Sequence, residues 1–285
     1  MQRIFTLKID DSVNGKRIET VLEKKLRFSR SFISKLKKYE NSVTVDDKRV
    51  RLSELLHKGQ ELKVVLPEEK ENSIIPENIP LDILYEDEDI IAINKPSGMP
   101  THTSRLHRSG TLINALKYYL GYSGHIITRL DKDTTGVLLV AKNIPAASIL
   151  TDAVKEGKIE KEYIALIKGK LSPLKGRICA PIKRRTESEV VREVSPDGKV
   201  SVSIYETLKI YGDCSLVKLI PITGRTHQLR VHMSHMGTPI CGDSLYGESH
   251  NGESLKLHCK ALWFFHPITG EKIQITSPVA ENFKR

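Results

Sequence analysis

The chain has 285 residues, 39% of them hydrophobic and 28% charged, and carries a formal net charge of +10. That length admits a large core, or one catalytic domain with a small appendage, and no apolar run approaches the roughly 20 residues that span a bilayer, so no membrane partner is expected. The basic excess favours a polyanion, because Lys and Arg release counterions from a phosphate backbone.

Residues 1–70 are expected to form a small separate module. Its start lacks the long apolar core of a secretion signal, which predicts a cytoplasmic protein. Ile18, Val21, Leu22 and Leu26 recur at helical spacing, and Ser29 and Ser31 are placed to cap a second helix that turns Phe32, Ile33 and Leu36 inward. Strands follow at 42–45 and 48–52, paired across Asp46-Asp47, with a third at 61–66. Arg17, Lys24, Lys25, Arg27, Arg30, Lys35, Lys37 and Lys38 crowd this short helical pair against Glu19 and Glu23. A solvated helix face would carry charge too, but such clustering favours a phosphate-binding face.

After the charge run Glu68-Glu69-Lys70-Glu71, residues 71–80 read as a linker with Pro76 and Pro80, and 81–285 as a second, larger domain. Strands at 83–85 and 90–93 are joined by the acidic turn Glu86-Asp87-Glu88-Asp89. Asn94-Lys95-Pro96-Ser97-Gly98 opens a rigid loop in which Lys95 either contacts phosphate or is solvated. A helix at 112–120 leads through Gly121 to Ile127-Thr128-Arg129-Leu130-Asp131-Lys132-Asp133-Thr134-Thr135-Gly136 and the apolar run 137–140. This reads as strand, tight turn, strand. Asp131 sits where the strand ends, and it either caps the turn or serves chemistry.

A helix opened by Pro145 and closed at Gly157 precedes a strand at 161–167, which puts Tyr163, Ala165 and Ile167 on one face. Taken alone, Tyr163 is an ordinary sheet aromatic. From 177 to 221 the chain is mostly strand with tight turns. Thr223 is expected to cap a helix over 225–236 carrying Arg225, His227, Arg230, His232 and His235. His232 and His235 share a face, yet no carboxylate completes a set, so no metal is expected. The cysteines, Cys179, Cys214, Cys241 and Cys259, lack the spacing of a zinc site or a disulfide framework. A hairpin at 261–265 and 272–276 ends the chain. Dinucleotide, P-loop and serine-nucleophile motifs are missing. The fold class is α+β: a large, mostly antiparallel mixed sheet with flanking helices, preceded by a small α/β module.

Two resemblances extend this reading. Gly15-Lys16-Arg17-Ile18 with Leu22, Phe28-Ser29-Arg30-Ser31 with Ile33, Val43-Thr44-Val45, and Gly59-Gln60-Glu61-Leu62 resemble the αL RNA-binding domain of ribosomal protein S-four. The usual Arg-Leu-Asp is Arg17-Ile18-Glu19 here, and the usual Asn-Gly turn is Asp46-Asp47. Three later segments, in order, resemble the RluA-type pseudouridine synthases: Arg129 through Gly136; Lys161-Glu162-Tyr163; and Gly224-Arg225-Thr226-His227-Gln228-Leu229-Arg230-Val231-His232, continuing to Gly242-Asp243-Ser244-Leu245-Tyr246-Gly247.

The second resemblance implies a monomeric isomerase that converts uridines of RNA to pseudouridine, with large-subunit ribosomal RNA favoured over transfer RNA. A non-catalytic RNA-binding or ribosome-assembly factor is the alternative from another class. The synthase resemblance implies catalytic Asp131, an Arg230 that keeps Asp131 ionised, a Tyr163 that stacks on the base, and an Arg129 that fills the gap left by the flipped nucleotide. Arg225, Arg17, Arg30, Lys35, Lys37 and Lys38 are the further expected RNA contacts. The reaction involves neither redox chemistry nor phosphate transfer, so no cofactor is required. Where the family has His before Arg-Leu-Asp, this chain has Thr128, and His125 is not assigned as its substitute.

Overall fold

A computed structural model describes residues 3–67, 74–104, 107–186, 190–247, 253–279 and Phe283. The charge run at 68–71 and the first residues of the expected linker lie outside the described residues.

The first module is built from β1 (Ile4–Lys8), α1 (Ile18–Lys24), α2 (Arg30–Leu36), β2 (Val43–Val45), β3 (Lys48–Arg49) and β4 (Glu61–Val65). Its strands form an antiparallel sheet in the order β1-β4-β2-β3. Asp46 and Asp47 sit at φ 49° and 59°, the mirror-image turn whose twist matches a two-residue hairpin. β3 ends at Arg49 rather than 52, and the chain that follows pairs Leu55 back to Arg17. Ser29 caps α2 by accepting from Phe32 N at 3.3 Å. Under the sheet, Phe28 packs edge-on against both Phe5 and Phe32 at 5.4 Å. β1 was not expected from the sequence; its single buried residue, Phe5, leaves little alternation to detect.

The rest of the chain supplies β5 (Ile83–Glu86), β6 (Ile90–Lys95), α3 (Leu112–Leu120), β7 (His125–Ile126), β8 (Thr135–Ala141), α4 (Ile144–Lys155), β9 (Glu160–Lys168), β10 (Lys175–Cys179), β11 (Ile182–Arg184), β12 (Arg192–Val194), β13 (Val202–Tyr211), β14 (Cys214–Pro221), α5 (Gln228–His235), β15 (Leu257–Phe265) and β16 (Lys272–Thr276). Ten of these strands form one mixed sheet with a main path β10-β13-β14-β9-β15-β8-β6-β5, where β16 pairs β15 and β7 pairs β8. Among the described residues, β8 and β15 are the only neighbouring strands paired in parallel. β6 and β8 are almost wholly buried, which explains their continuous apolar runs. Thr111 and Asn114 form a capping box on α3, and Asn143 caps α4 by accepting from Ala146 N at 3.0 Å.

The two modules touch. Arg3 reaches Asp89 through two hydrogen bonds of 3.1 and 3.0 Å, and Ile144 and Ile268 pack against the core of the first module. Among the described residues, no helix is long and apolar enough to cross a membrane.

Candidate active site

The site grows from the start of β8. Ahead of it, β7 ends at Ile126, earlier than the expected strand, because the chain bulges: both Ile127 N and Thr128 N donate to Leu139 O. Thr128 then turns its side chain inward, and its Oγ1 accepts from Leu139 N at 2.9 Å. This frees Arg129 to solvent and buries Leu130. A turn closed by Thr134 N on Asp131 O carries the chain into β8.

One glycine and one lysine fix that turn. Gly136 has φ +104°, and a Cβ there would lie 2.2 Å from Cys259 O. Only glycine lets β15 run beside β8 at this point, with Cys259 opposite Gly136 on one side and opposite Tyr163 of β9 on the other. Lys95 is fully buried, and its Nζ donates to Pro96 O, Met99 O and Lys132 O at 2.7, 2.9 and 2.8 Å. The three acceptors match the three protons of an ammonium. Burial pushes this group down to about 8, opposed by Asp133 and Asp131. Lys95 is thus neither a phosphate contact nor solvated; it ties the 96–99 loop to the Asp131 turn.

Opposite this turn stands α5. The sequence placed its start at Arg225 under a Thr223 cap, but it begins at Gln228, and His227 before it has left-handed φ 56° with no side-chain cap. The cause is Gln228. Its buried amide accepts from Thr223 Oγ1 and Arg225 N and donates to Val202 O and Ser203 Oγ, so residues 223–225 are held as a turn against β13. Thr223 Oγ1 also accepts from Val202 N.

Arg230 is 4% exposed and gives its Nε and Nη2 to the two oxygens of Asp243 at 2.8 and 2.7 Å. Asp243 Oδ1 accepts further from Leu245 N and Tyr246 N. The remaining Nη1 lies 3.5 Å from Asp131 Oδ2, and Cζ sits 5.2 Å from the Tyr246 ring centroid. Burial lowers the guanidinium pKa, but its bonds and charge pairing with Asp243 and Asp131 leave it raised. Asp131 also has His227 Nε2 at 3.8 Å. Tyr246 Oη accepts from Arg192 N, so its proton goes to His227 Nδ1 at 2.7 Å and leaves the Nε2 proton for the Asp131 side. Burial pushes the His227 imidazole down, against the pull of Asp131.

Tyr163 is buried, and burial, Cys259 and Asp131 hold its phenol well above its ordinary value. It stays a neutral ring at the edge of the Asp131 charge. The structure therefore brings Asp131, Arg230 and Tyr163 together. It adds Asp243, His227, Tyr246 and Lys95, which sequence reasoning left without roles; the buried Lys95 had no sequence signal beyond its place before Pro96.

The other expected RNA contacts lie outside this cluster. Arg225 is exposed and donates to Val200 O at 3.1 Å. Arg17, Arg30, Lys35, Lys37 and Lys38 are exposed on the first module, where Glu19 and Glu23 pair with Arg17, Lys37 and Arg30. His232 Nε2 donates to Ala180 O and its Nδ1 pairs with Ser203 Oγ, the polar contacts expected of it in place of a metal. Asp87, Asp89 and His266 also gather, but His266 Nδ1 accepts from Ile268 N and Thr269 N, so its Nε2 carries the proton and donates to Asp87.

A family model described as RNA pseudouridylate synthase matches residues 89–235. The chain is 36% identical over 267 residues to the uncharacterized RNA pseudouridine synthase YjbO of Bacillus subtilis, covering 91% of this chain and 94% of that protein. It is 32% identical to ribosomal large subunit pseudouridine synthase D of Xanthomonas campestris, covering 97% and 89%. Among solved structures, human RNA pseudouridylate synthase domain containing 1 matches with a TM-score of 0.61 at 29% identity, covering 72% and 86%.

Proposed function

The chain belongs to the RNA pseudouridylate synthase family, and on that premise we propose that it isomerises uridine through Asp131, with large-subunit ribosomal RNA as substrate. The carrying observation is the division of labour in Arg230. Its fork is committed to Asp243 at hydrogen-bonding distance, and one nitrogen faces Asp131 at 3.5 Å. Asp131 faces a positive charge without being tied up. A carboxylate held this way can act as a nucleophile at the sugar or the base, or remove the sugar 2′ proton.

The reaction breaks the bond from C1′ to N1, turns the uracil, joins C1′ to C5, and moves the C5 proton off carbon while N1 gains one. Atoms and electrons balance with no added reactant. Tyr163 supplies a neutral aromatic face for the detached uracil, and to Arg129, exposed two residues before Asp131, we assign the filling of the gap that a flipped nucleotide leaves. The ribosomal target is supported by the exposed cations of the first module and by relatives bearing the large-subunit name. We take that module, residues 1–70, as the RNA-docking domain and 81–285 as the catalytic one.

Asp131→Asn keeps the shape and removes the charge. It should abolish pseudouridine formation in total RNA from cells lacking the gene, while RNA binding survives. A fully active Asn variant would overturn the assignment of Asp131, and a pseudouridine map that changes only in transfer RNA would overturn the ribosomal target.

A further inference from the structure

A cleft of about 690 Å³ lies beside the catalytic sheet, and the isomerisation chemistry leaves it unused. Tyr122, Ser123 and His125 line it from the segment entering β7, Ser148 and Lys155 from α4, and Ser29 and Ser31 from the start of α2. It reaches His102 and Ile127. Thr101 Oγ1 donates to Leu130 O at 2.8 Å, so this end of the cleft adjoins the strand that presents Arg129 and Asp131.

We propose that the cleft is a second RNA subsite, which takes unpaired nucleotides of the substrate next to the flipped uridine. The proposal rests on RNA as the substrate of the Asp131 site. Four observations carry it. The lining combines hydroxyls with a phenol and imidazoles, which is the chemistry that stacks splayed bases and bonds their edges and 2′-hydroxyls. Ser123, part of the cleft lining, is only 5% exposed, and its buried Oγ has no hydrogen-bond partner. Burial and Arg129 push the His102 imidazole down, which leaves a neutral ring for stacking. Finally, the cleft is continuous with the catalytic strand at one end and with the basic first module at the other, where exposed Arg30 lies between Ser29 and Ser31.

One acid, Asp152, lines the cleft, and it is paired with Lys155 at 2.8 Å on the exposed surface. Such a pair is weak in water, and Lys155 can exchange it for a phosphate. A volume of this size suits one or two nucleotides rather than a duplex. A splayed strand running from the first module to Arg129 would fill it.

The test uses the full chain and total RNA from cells lacking the gene, crosslinked with ultraviolet light and mapped by mass spectrometry of the peptides. Crosslinks are expected on the peptide bearing Tyr122 and His125, and they should persist in Asp131→Asn. Ser148→Trp, which fills the cleft, should raise the apparent KM for that RNA about tenfold. Should Ser148→Trp lower the thermal midpoint, Ser31→Glu gives the independent reading: its carboxylate at the exposed rim should raise KM by repelling phosphate. Crosslinks confined to 17–28, 32–38 and 129–131, with an unchanged KM in the variants, would overturn the subsite while leaving the synthase reading intact. A wild-type chain that isomerises no uridine in that RNA would instead remove the premise.

Discussion

Replacing Asp243 by Asn tests the architecture of the site more sharply than replacing the groups that face substrate. Asp243 is fully buried and accepts the Arg230 fork together with two backbone N–H groups. An Asn can keep Oδ1 for Nη2, Leu245 N and Tyr246 N, but it then turns an NH₂ toward Arg230 Nε, donor against donor. One charge-assisted bond of about 1.5–3 kcal/mol is lost, and a buried guanidinium loses its counter-charge. Removing one partner of a buried pair costs about 3–5 kcal/mol. For a domain of this size that lowers Tm by roughly 6–20 °C. Released from its fork, Arg230 can close on Asp131, and a displacement of about 1 Å at a reacting group is enough to reduce the rate about a hundredfold. Denaturant unfolding gives the first quantity. The second comes from release of tritium from RNA labelled at C5 of uridine, measured well below the variant's midpoint. An Asn variant with wild-type midpoint and wild-type turnover would refute the role given to the Asp243 fork.

Three further perturbations probe the turn that carries Asp131. Lys95→Met leaves three carbonyls without their donor, each worth about 1–3 kcal/mol, and should cut turnover sharply. Because Lys95 is pushed down to about 8, the unfolded chain binds its proton more tightly between about 8 and 10.5. The difference in unfolding free energy, wild type minus Lys95→Met, should therefore rise by up to roughly 3 kcal/mol as pH climbs through that window. Turnover of the wild type should fall over the same range, since a neutral amine has only two protons for three carbonyls; a falling stability difference or a flat rate profile contradicts this. Gly136→Ala forces a Cβ to within 2.2 Å of Cys259 O at φ +104°, so it should destabilise by at least about 3 kcal/mol and inactivate. A wild-type urea midpoint would rule that out. Thr128→Val keeps the shape but leaves Leu139 N without its side-chain acceptor, and the same urea titration should show a loss of about 1–3 kcal/mol.

The fold was legible where one physical signal dominated. Continuous apolar runs marked β6 and β8, and Pro145 and Gly157 marked the two ends of α4. The signal failed where a side chain overrode local preference. Thr223 looks like a helix cap, but the Gln228 amide takes its hydroxyl and the helix begins three residues later than expected. The strand before Asp131 ends early because Thr128 substitutes a hydroxyl for a backbone acceptor. The resemblance pointed to Asp131, Tyr163 and Arg230, which the structure brings together, whereas nothing pointed to Lys95. Nothing in Asn-Lys-Pro distinguishes an ammonium caged by carbonyls from one in water, since its acceptors at Met99 and Lys132 come from the folded path of the chain.

The same geometry accounts for Thr128 in place of the family's histidine. Its side chain is buried and bonded to Leu139 N, so it faces the sheet, while the next residue, Arg129, faces outward. Position 128 therefore fixes the bulge that precedes Arg129 and Asp131, and its own side chain is spent on the sheet. A threonine meets that requirement with one acceptor and a small β-branched body. What the position requires is an acceptor for Leu139 N within a narrow space, so Thr128→Ser should retain activity. A Ser variant that folds normally yet loses turnover would mean that the threonine methyl, rather than its hydroxyl, sets the aim of Arg129.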